Sequence, residues 1–262
     1  MDELRILVII MTAVLGLVVG SFLNVLIYRL PLNKSIAFPA SHCPKCEHKL
    51  KWYDNIPTLS YLILGGKCRY CKEPINPRYL VVELTNAALW LISYKLFGFS
   101  PMFALSCVFL SVLIVIIFID LEHFIIPDIL VLVILGLGVI SLFFPYEMSI
   151  GEKFLGLTVS LLLFLISYLL GRALKKEAIG GGDIKLVLAV GLFLGIKLTI
   201  LGLFLSALLG TLIEVPRLLK VRKNNQEEYI VPFGPYLAFG FIISLFVGNQ
   251  ILSWYVNLLM NA

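Results

Sequence analysis

Two aspartates stand where an apolar chain has least use for a charge. Asp120 closes the run from Val112 to Ile119, and Asp183 follows Gly180-Gly181-Gly182 and opens Ile184-Lys185-Leu186-Val187-Leu188. A carboxylate in or beside such a run is energetically unfavourable, and by default it marks function. Two carboxyls held close together cannot both ionise, so they share a proton. One then activates water as general base while the other, protonated, polarises a scissile carbonyl. This is aspartic-protease chemistry, without a covalent intermediate. Plainer readings stand beside it: Asp183 as the cap of a helix that follows a flexible turn, and Asp120 as an interfacial charge facing lipid headgroups. His42, His48 and His123 are the three histidines; they suggest no Ser-His-Asp or Cys-His arrangement, and the H-E-x-x-H signature of a metalloprotease is absent.

The three glycines have a physical use beside Asp183. Lacking Cβ atoms, Gly180, Gly181 and Gly182 let the backbone bend at a helix mouth and approach an extended substrate closely. The other acids have simpler expectations. Asp128, after Pro127, suits a helix N-terminus through the dipole; Glu122 is expected to be solvated; Glu83 and Glu214 lie near span ends, within reach of loop cations.

Four of the five cysteines form two C-x-x-C pairs, Cys43/Cys46 and Cys68/Cys71, with 21 residues between them. That spacing is close to the pattern of a structural zinc site, in which two tight knuckles converge four thiolates on one ion. The surrounding polar stretch has little apolar surface with which to fold alone, so a metal would stabilise it. Two disulfides or a redox dithiol are the competing readings, and His42 and His48 are spare ligands. Cys107, inside an apolar run, reads as a buried filler.

These groups need a scaffold, and composition says which kind. Of the 262 residues, 60% are hydrophobic and 14% charged, against about 45–50% and about 25% in soluble domains. Hydrocarbon must solvate much of the chain. Runs long enough for helical spans are expected at 6–28, 79–97, 102–120, 128–144, 153–174, 183–196, 198–218 and 233–257. The expected fold is all-α and polytopic, with about eight transmembrane helices; seven is the other possible count. The first run is too long for a cleavable signal and reads as a retained span.

Between the first two spans lies the long polar stretch 30–78, where nine cations, Arg29 included, face three acids. The positive-inside rule puts this loop in the cytoplasm and the N-terminus outside. Cytoplasmic turns then follow at 120–127, 172–182 and 218–232. The last two hold Arg172, Lys175 and Lys176, then Lys220, Arg222 and Lys223, whereas the outer turns hold chiefly Lys153 and Lys197. Asp120 and Asp183 fall at the same, cytoplasmic depth. The net charge of +5 thus concerns orientation in lipid and not affinity for nucleic acid. The chain divides into a first span (1–29), a zinc-binding loop (30–78) and a transmembrane peptidase core (79–262).

Several segments resemble the bacterial type IV prepilin peptidases. Gly20-Ser21-Phe22-Leu23-Asn24-Val25 with Tyr28-Arg29-Leu30-Pro31 is similar to an N-terminal signature of that family. The two cysteine pairs sit where it has its zinc loop, and Pro77-Arg78-Tyr79 with Glu83-Leu84 resembles the segment that follows. Ile119-Asp120 with Ile126-Pro127-Asp128 resembles the first catalytic motif, and Lys176 to Lys185 the second, G-x-G-D. The chain departs mildly from the family at Ala178 and Ile179.

The resemblance implies a membrane aspartyl endopeptidase in which Asp120 and Asp183 are catalytic. Such an enzyme cleaves the basic leader of prepilins or pseudopilins after a glycine, at the cytoplasmic face of the bacterial inner membrane. It also implies N-methylation of the new terminus with S-adenosylmethionine, associated with the large loop and with Glu83. No nucleotide-binding glycine motif supports a methyl-donor site independently. A proton-coupled transporter and a non-catalytic assembly factor are the rival readings. Against the first, the carboxylates lie at a membrane edge and not at the midplane; the second leaves them without a purpose.

Overall fold

The structure, a computed structural model, describes residues 2–144, 149–174, 180–223 and 231–260. The basic pair Lys175-Lys176 and the departure at Ala178-Ile179 lie outside the described residues, as do parts of the expected turns 172–182 and 218–232. Among the described residues the fold is helical: α1 (Asp2–Arg29), a 3-10 turn (Trp52–Asn55), α2 (Leu59–Ile63), α3 (Arg78–Phe97), α4 (Pro101–His123), α5 (Asp128–Ser141), α6 (Ile150–Leu174), α7 (Gly181–Lys223) and α8 (Gly234–Met260). The described residues form no extended strand, only two isolated antiparallel bridges, His42 with Lys49 and Lys67 with Pro74.

Five of these helices, α1, α3, α4, α7 and α8, are long and apolar enough to cross a membrane. The chain is therefore a multi-pass membrane protein. Among the described residues the eight expected segments are all helical, and those at 183–196 and 198–218 are two helices that meet at a kink within α7. The join is bent: Gly195 takes φ 69°, ψ 174°, a conformation only glycine adopts without strain. α4 ends where Phe124 takes φ 56° while its amide still bonds the Asp120 carbonyl, so the helix stops one turn beyond Asp120.

Contacts group the chain into two compact units, Met1–Val115 and Ile116–Ala262. In each, helices meet through small residues, as expected where lipid removes the hydrophobic drive for association. In the first unit Gly16 and Gly20 let α1 lie on α3: a Cβ at either would come 2.7 Å from the Cα of Ala87 or Glu83. Asn86 donates to the Gly16 carbonyl at 2.7 Å, and Asn24 to those of Gly20 and Tyr79.

In the second unit Gly156 meets Gly191 between α6 and α7, and Gly202 and Gly240 let α7 and α8 approach. Phe193, Leu194, Ile134 and Phe241 are fully buried there. Lys153 and Lys197, expected in outer turns, are both engaged: Lys197 pairs with Glu152 at 2.5 Å. Lys153 is buried and donates to the Ser141 carbonyl and hydroxyl at 2.7 and 2.9 Å, satisfying the end of α5.

Candidate functional site

Both aspartates lie in the second unit. Asp120 is in the last turn of α4, 6% exposed; Asp183 is half-buried in the first turn of α7. The two carboxyls are close enough to interact electrostatically. The 62 intervening residues include α5 and α6, after which the chain returns to Asp120. A direct contact helps to set that return: Gly182 packs on Ile126, where a Cβ would come 3.1 Å from the Ile126 Cβ. Near it Asp128, the first residue of α5, pairs with Lys185 at 2.8 Å.

The glycines form less of a turn than expected. Gly181 and Gly182 are the first residues of α7, and the Gly180 carbonyl accepts the Ile184 amide, starting the helix. Gly180 abuts the Asp183 carboxyl, whereas a Cβ on Gly181 would meet nothing within 4 Å. Sequence reasoning passed over Gly234. Its amide donates to Asp120 Oδ2 at 3.0 Å. The signal was legible in Pro232-Phe233-Gly234-Pro235, since proline just inside a helix start is common.

The first unit holds the cysteine quartet. The four sulfurs lie within 4.8 Å of one another, and Cys43 and Cys71 are 3.8 Å apart. Zn–S bonds of about 2.3 Å in a tetrahedron put sulfurs about 3.8 Å apart, so the donors fit zinc and the cysteines are free, not paired as disulfides. The two knuckles repeat one geometry. The amides of Cys43 and Cys68 bond the carbonyls of His48 and Glu73, and the residues after the second cysteines, Glu47 and Lys72, have φ 56° and 62°.

Amides of Cys71 and Tyr70 aimed at Cys68 draw its thiol down to about 7. Cys71 also receives an amide, from Glu73, yet burial and the neighbouring thiols hold it up at about 12. Four thiolates this close require a cation. His42 and His48 stay outside the cluster; His48 stacks on Tyr70, 3.6 Å between centroids. Cys107 is a buried filler, as expected.

Beneath the knuckles, between α1, α3 and the loop, lies a cavity of about 880 Å³, lined among others by Asn24, Tyr28, Asp54, Tyr61 and Glu83. Glu83 is buried and accepts the Thr58 amide at 2.5 Å and hydroxyl at 3.1 Å. Thr58 holds φ 62°, rare for a β-branched residue and common near functional sites. Asn24 Oδ1 is buried with no hydrogen-bond partner. Asp54 closes the rim: against the effect of burial, the Arg69 guanidinium at 2.7 Å, the Lys51 amide and the Tyr70 hydroxyl hold its carboxyl below the usual range.

Comparison with known proteins follows the same two-part layout. Residues 14–97 match the bacterial peptidase A24 N-terminal domain, and residues 107–215 match the type IV leader peptidase family. The prepilin leader peptidase/N-methyltransferase of Pseudomonas aeruginosa is 35% identical across 94% of this chain and 92% of its own length. That of Myxococcus xanthus is 39% identical across 82% and 66%, and that of Legionella pneumophila 32% across 92% of each. No solved structure matches. Similarity at this level along nearly the whole chain, with both matched domains in order, makes it a member of the type IV leader peptidase family.

Proposed function

We propose that this protein is a membrane-embedded aspartyl endopeptidase that removes the leader from type IV prepilins or pseudopilins and N-methylates the new terminus. The observation that carries the peptidase reading is the pair Asp120 and Asp183, from apolar helix ends 63 residues apart, brought within electrostatic reach. Of such a pair, the ionised carboxyl takes a proton from water, whose oxygen adds to the scissile carbonyl. The protonated carboxyl donates to the carbonyl oxygen, and collapse of the resulting diol expels the amine, which leaves with a proton. Gly180 and the open face at Gly181 give an extended peptide backbone room beside Asp183.

The finer assignments belong to the same proposal. Cleavage after a glycine at the cytoplasmic face of the inner membrane agrees with the excess of cations in 30–78. Zinc held by Cys43, Cys46, Cys68 and Cys71 stabilises the loop and takes no chemical part. The cavity beneath it suits S-adenosylmethionine, which when bound supplies the methyl group. The unpartnered Asn24 Oδ1 awaits a donor and Glu83 a cationic partner. In this reading 1–29 is the first span, 30–78 the zinc-binding loop and 79–262 the peptidase core, with Glu83 at the start of the core reaching the cavity of the loop.

The test is mass spectrometry of a purified prepilin incubated in liposomes with wild type, Asp120→Asn and Asp183→Asn. Wild type is expected to remove the leader, and with S-adenosylmethionine to add the mass of one methyl group. Each variant is expected to fold and to lose at least about a thousandfold in cleavage, since the pair acts as a unit. Cleavage by either folded variant would refute the assignment.

A further inference from the structure

Asp120 occupies an awkward place for a charge. It sits in the last turn of α4, where the helix carbonyls make the surroundings electronegative, and it is almost fully buried. The other acid of the pair, Asp183, lies within electrostatic range of it. The donor that reaches its carboxyl is a backbone one: Gly234, first residue of α8, gives its N–H to Oδ2 at 3.0 Å. A helix start is electropositive, so α8 offsets what the end of α4 imposes. The fit leaves no room for a side chain, because a Cβ on Gly234 would lie 2.7 Å from Oδ2 and 2.9 Å from Cγ of Asp120.

That amide is fixed from behind. Two residues on, the buried Tyr236 donates its hydroxyl to Glu214 Oε1. Glu214, on α7, is 4% exposed and also accepts from Arg217 Nη1 at 3.1 Å. The Tyr236 ring lies against Phe233, 6.3 Å between centroids, and over Gly210, where a Cβ would come 3.4 to 3.6 Å from the two rings. Apolar packing alone would allow the first turn of α8 to rotate or slide; a directional bond to a buried carboxylate does not.

We propose that the Gly234 amide is a working part of the peptidase site, orienting the Asp120 carboxyl, and that Glu214 and Tyr236 are positioning residues that clamp it there. This rests on the reading of Asp120 as half of the catalytic pair. The sequence expectation for Glu214 was an ion pair with loop cations, and it does pair with a cation, Arg217, at 3.1 Å. Its burial under Tyr236 gives it this further task.

The experiment measures kcat and KM for prepilin cleavage by the full-length protein in liposomes, with a melting temperature for each variant. Tyr236→Phe keeps the ring and removes only the hydroxyl; kcat is expected to fall about tenfold with KM within about twofold. Glu214→Gln retains an oxygen to accept from the phenol and keeps kcat within about threefold. Gly234→Ala lowers kcat by about a hundredfold or more.

The proposal is overturned if Tyr236→Phe and Gly234→Ala match wild type. It is also overturned if Glu214→Gln loses as much as Tyr236→Phe in step with melting temperature, since that is a purely structural effect. Asp120→Asn, run in parallel, separates the two readings. Retained cleavage there removes the catalytic pair and the clamp together; abolished cleavage there with an unaffected Tyr236→Phe removes the clamp alone.

Discussion

Asp120 and Asp183 reach one another from opposite kinds of helix end, and the difference matters at the scale of single residues. Asp183 starts α7 and has the electropositive end of its own helix beneath it, whereas Asp120 ends α4 and depends on a neighbour. The loop has its own finely placed acid in Asp54. Its carboxyl is held below the ordinary range by Arg69, the Lys51 amide and Tyr70, so its contribution to loop stability is present above the unfolded-state value. That contribution is lost as pH falls through the lower folded-state value. Amide hydrogen exchange across 50–75 is therefore expected to be faster in Asp54→Asn than in wild type at pH 7. The gap should close as the medium is acidified past the ordinary carboxylate range and Asp54 takes up its proton. A gap that persists undiminished in acid would mean that Asp54 acts through shape and not charge.

At the scale of elements, the knuckles and the helix contacts carry separable loads. Structural zinc is worth roughly 10–16 kcal/mol in small domains, so stripping it with a strong chelator should unfold the loop. Methyl transfer should then fail while leader cleavage continues, because the aspartate pair belongs to the other compact unit. Equal loss of both activities would tie the loop to the peptidase step. Where α1 crosses α3 the margin is steric: Gly16→Leu must displace the Ala87 backbone. Overpacking of this kind typically destabilises by about 1–3 kcal/mol, read as a lower melting temperature in detergent.

Much of this was legible in the chain. The cysteine spacing, the apolar runs and the two stranded aspartates are local signals, and local signals survive in a sequence. Glu214 was not legible as a site residue, because its meaning comes from a partner 22 positions away; the prolines around Gly234 marked a helix start but not the Asp120 partner 114 positions away. Lys153 looked like a surface charge until α5 supplied the Ser141 acceptors. The break expected between 183–196 and 198–218 is present, and its bend falls at Gly195.

At the scale of the whole molecule, the described helices establish a multi-pass membrane protein, and the proposed orientation, with the loop 30–78 in the cytoplasm, can be tested directly. A membrane-impermeant thiol reagent applied to intact cells should leave Cys46 and Cys71, the two exposed cysteines, unlabelled unless the inner membrane is breached. Labelling from outside would invert the topology. The division into a unit with the cysteine cluster and a unit with the aspartate pair also suits two reactions in sequence, because the amine that one releases is what the other consumes.

Gly181 opens a practical route into that sequence. A Cβ there meets no neighbour within 4 Å, so the position accepts a side chain at its base. A photoreactive amino acid placed at 181 would sit two residues from Asp183, and illumination would record which stretch of a passing polypeptide lies there. The same vacancy makes the position a natural anchor for a tethered inhibitor.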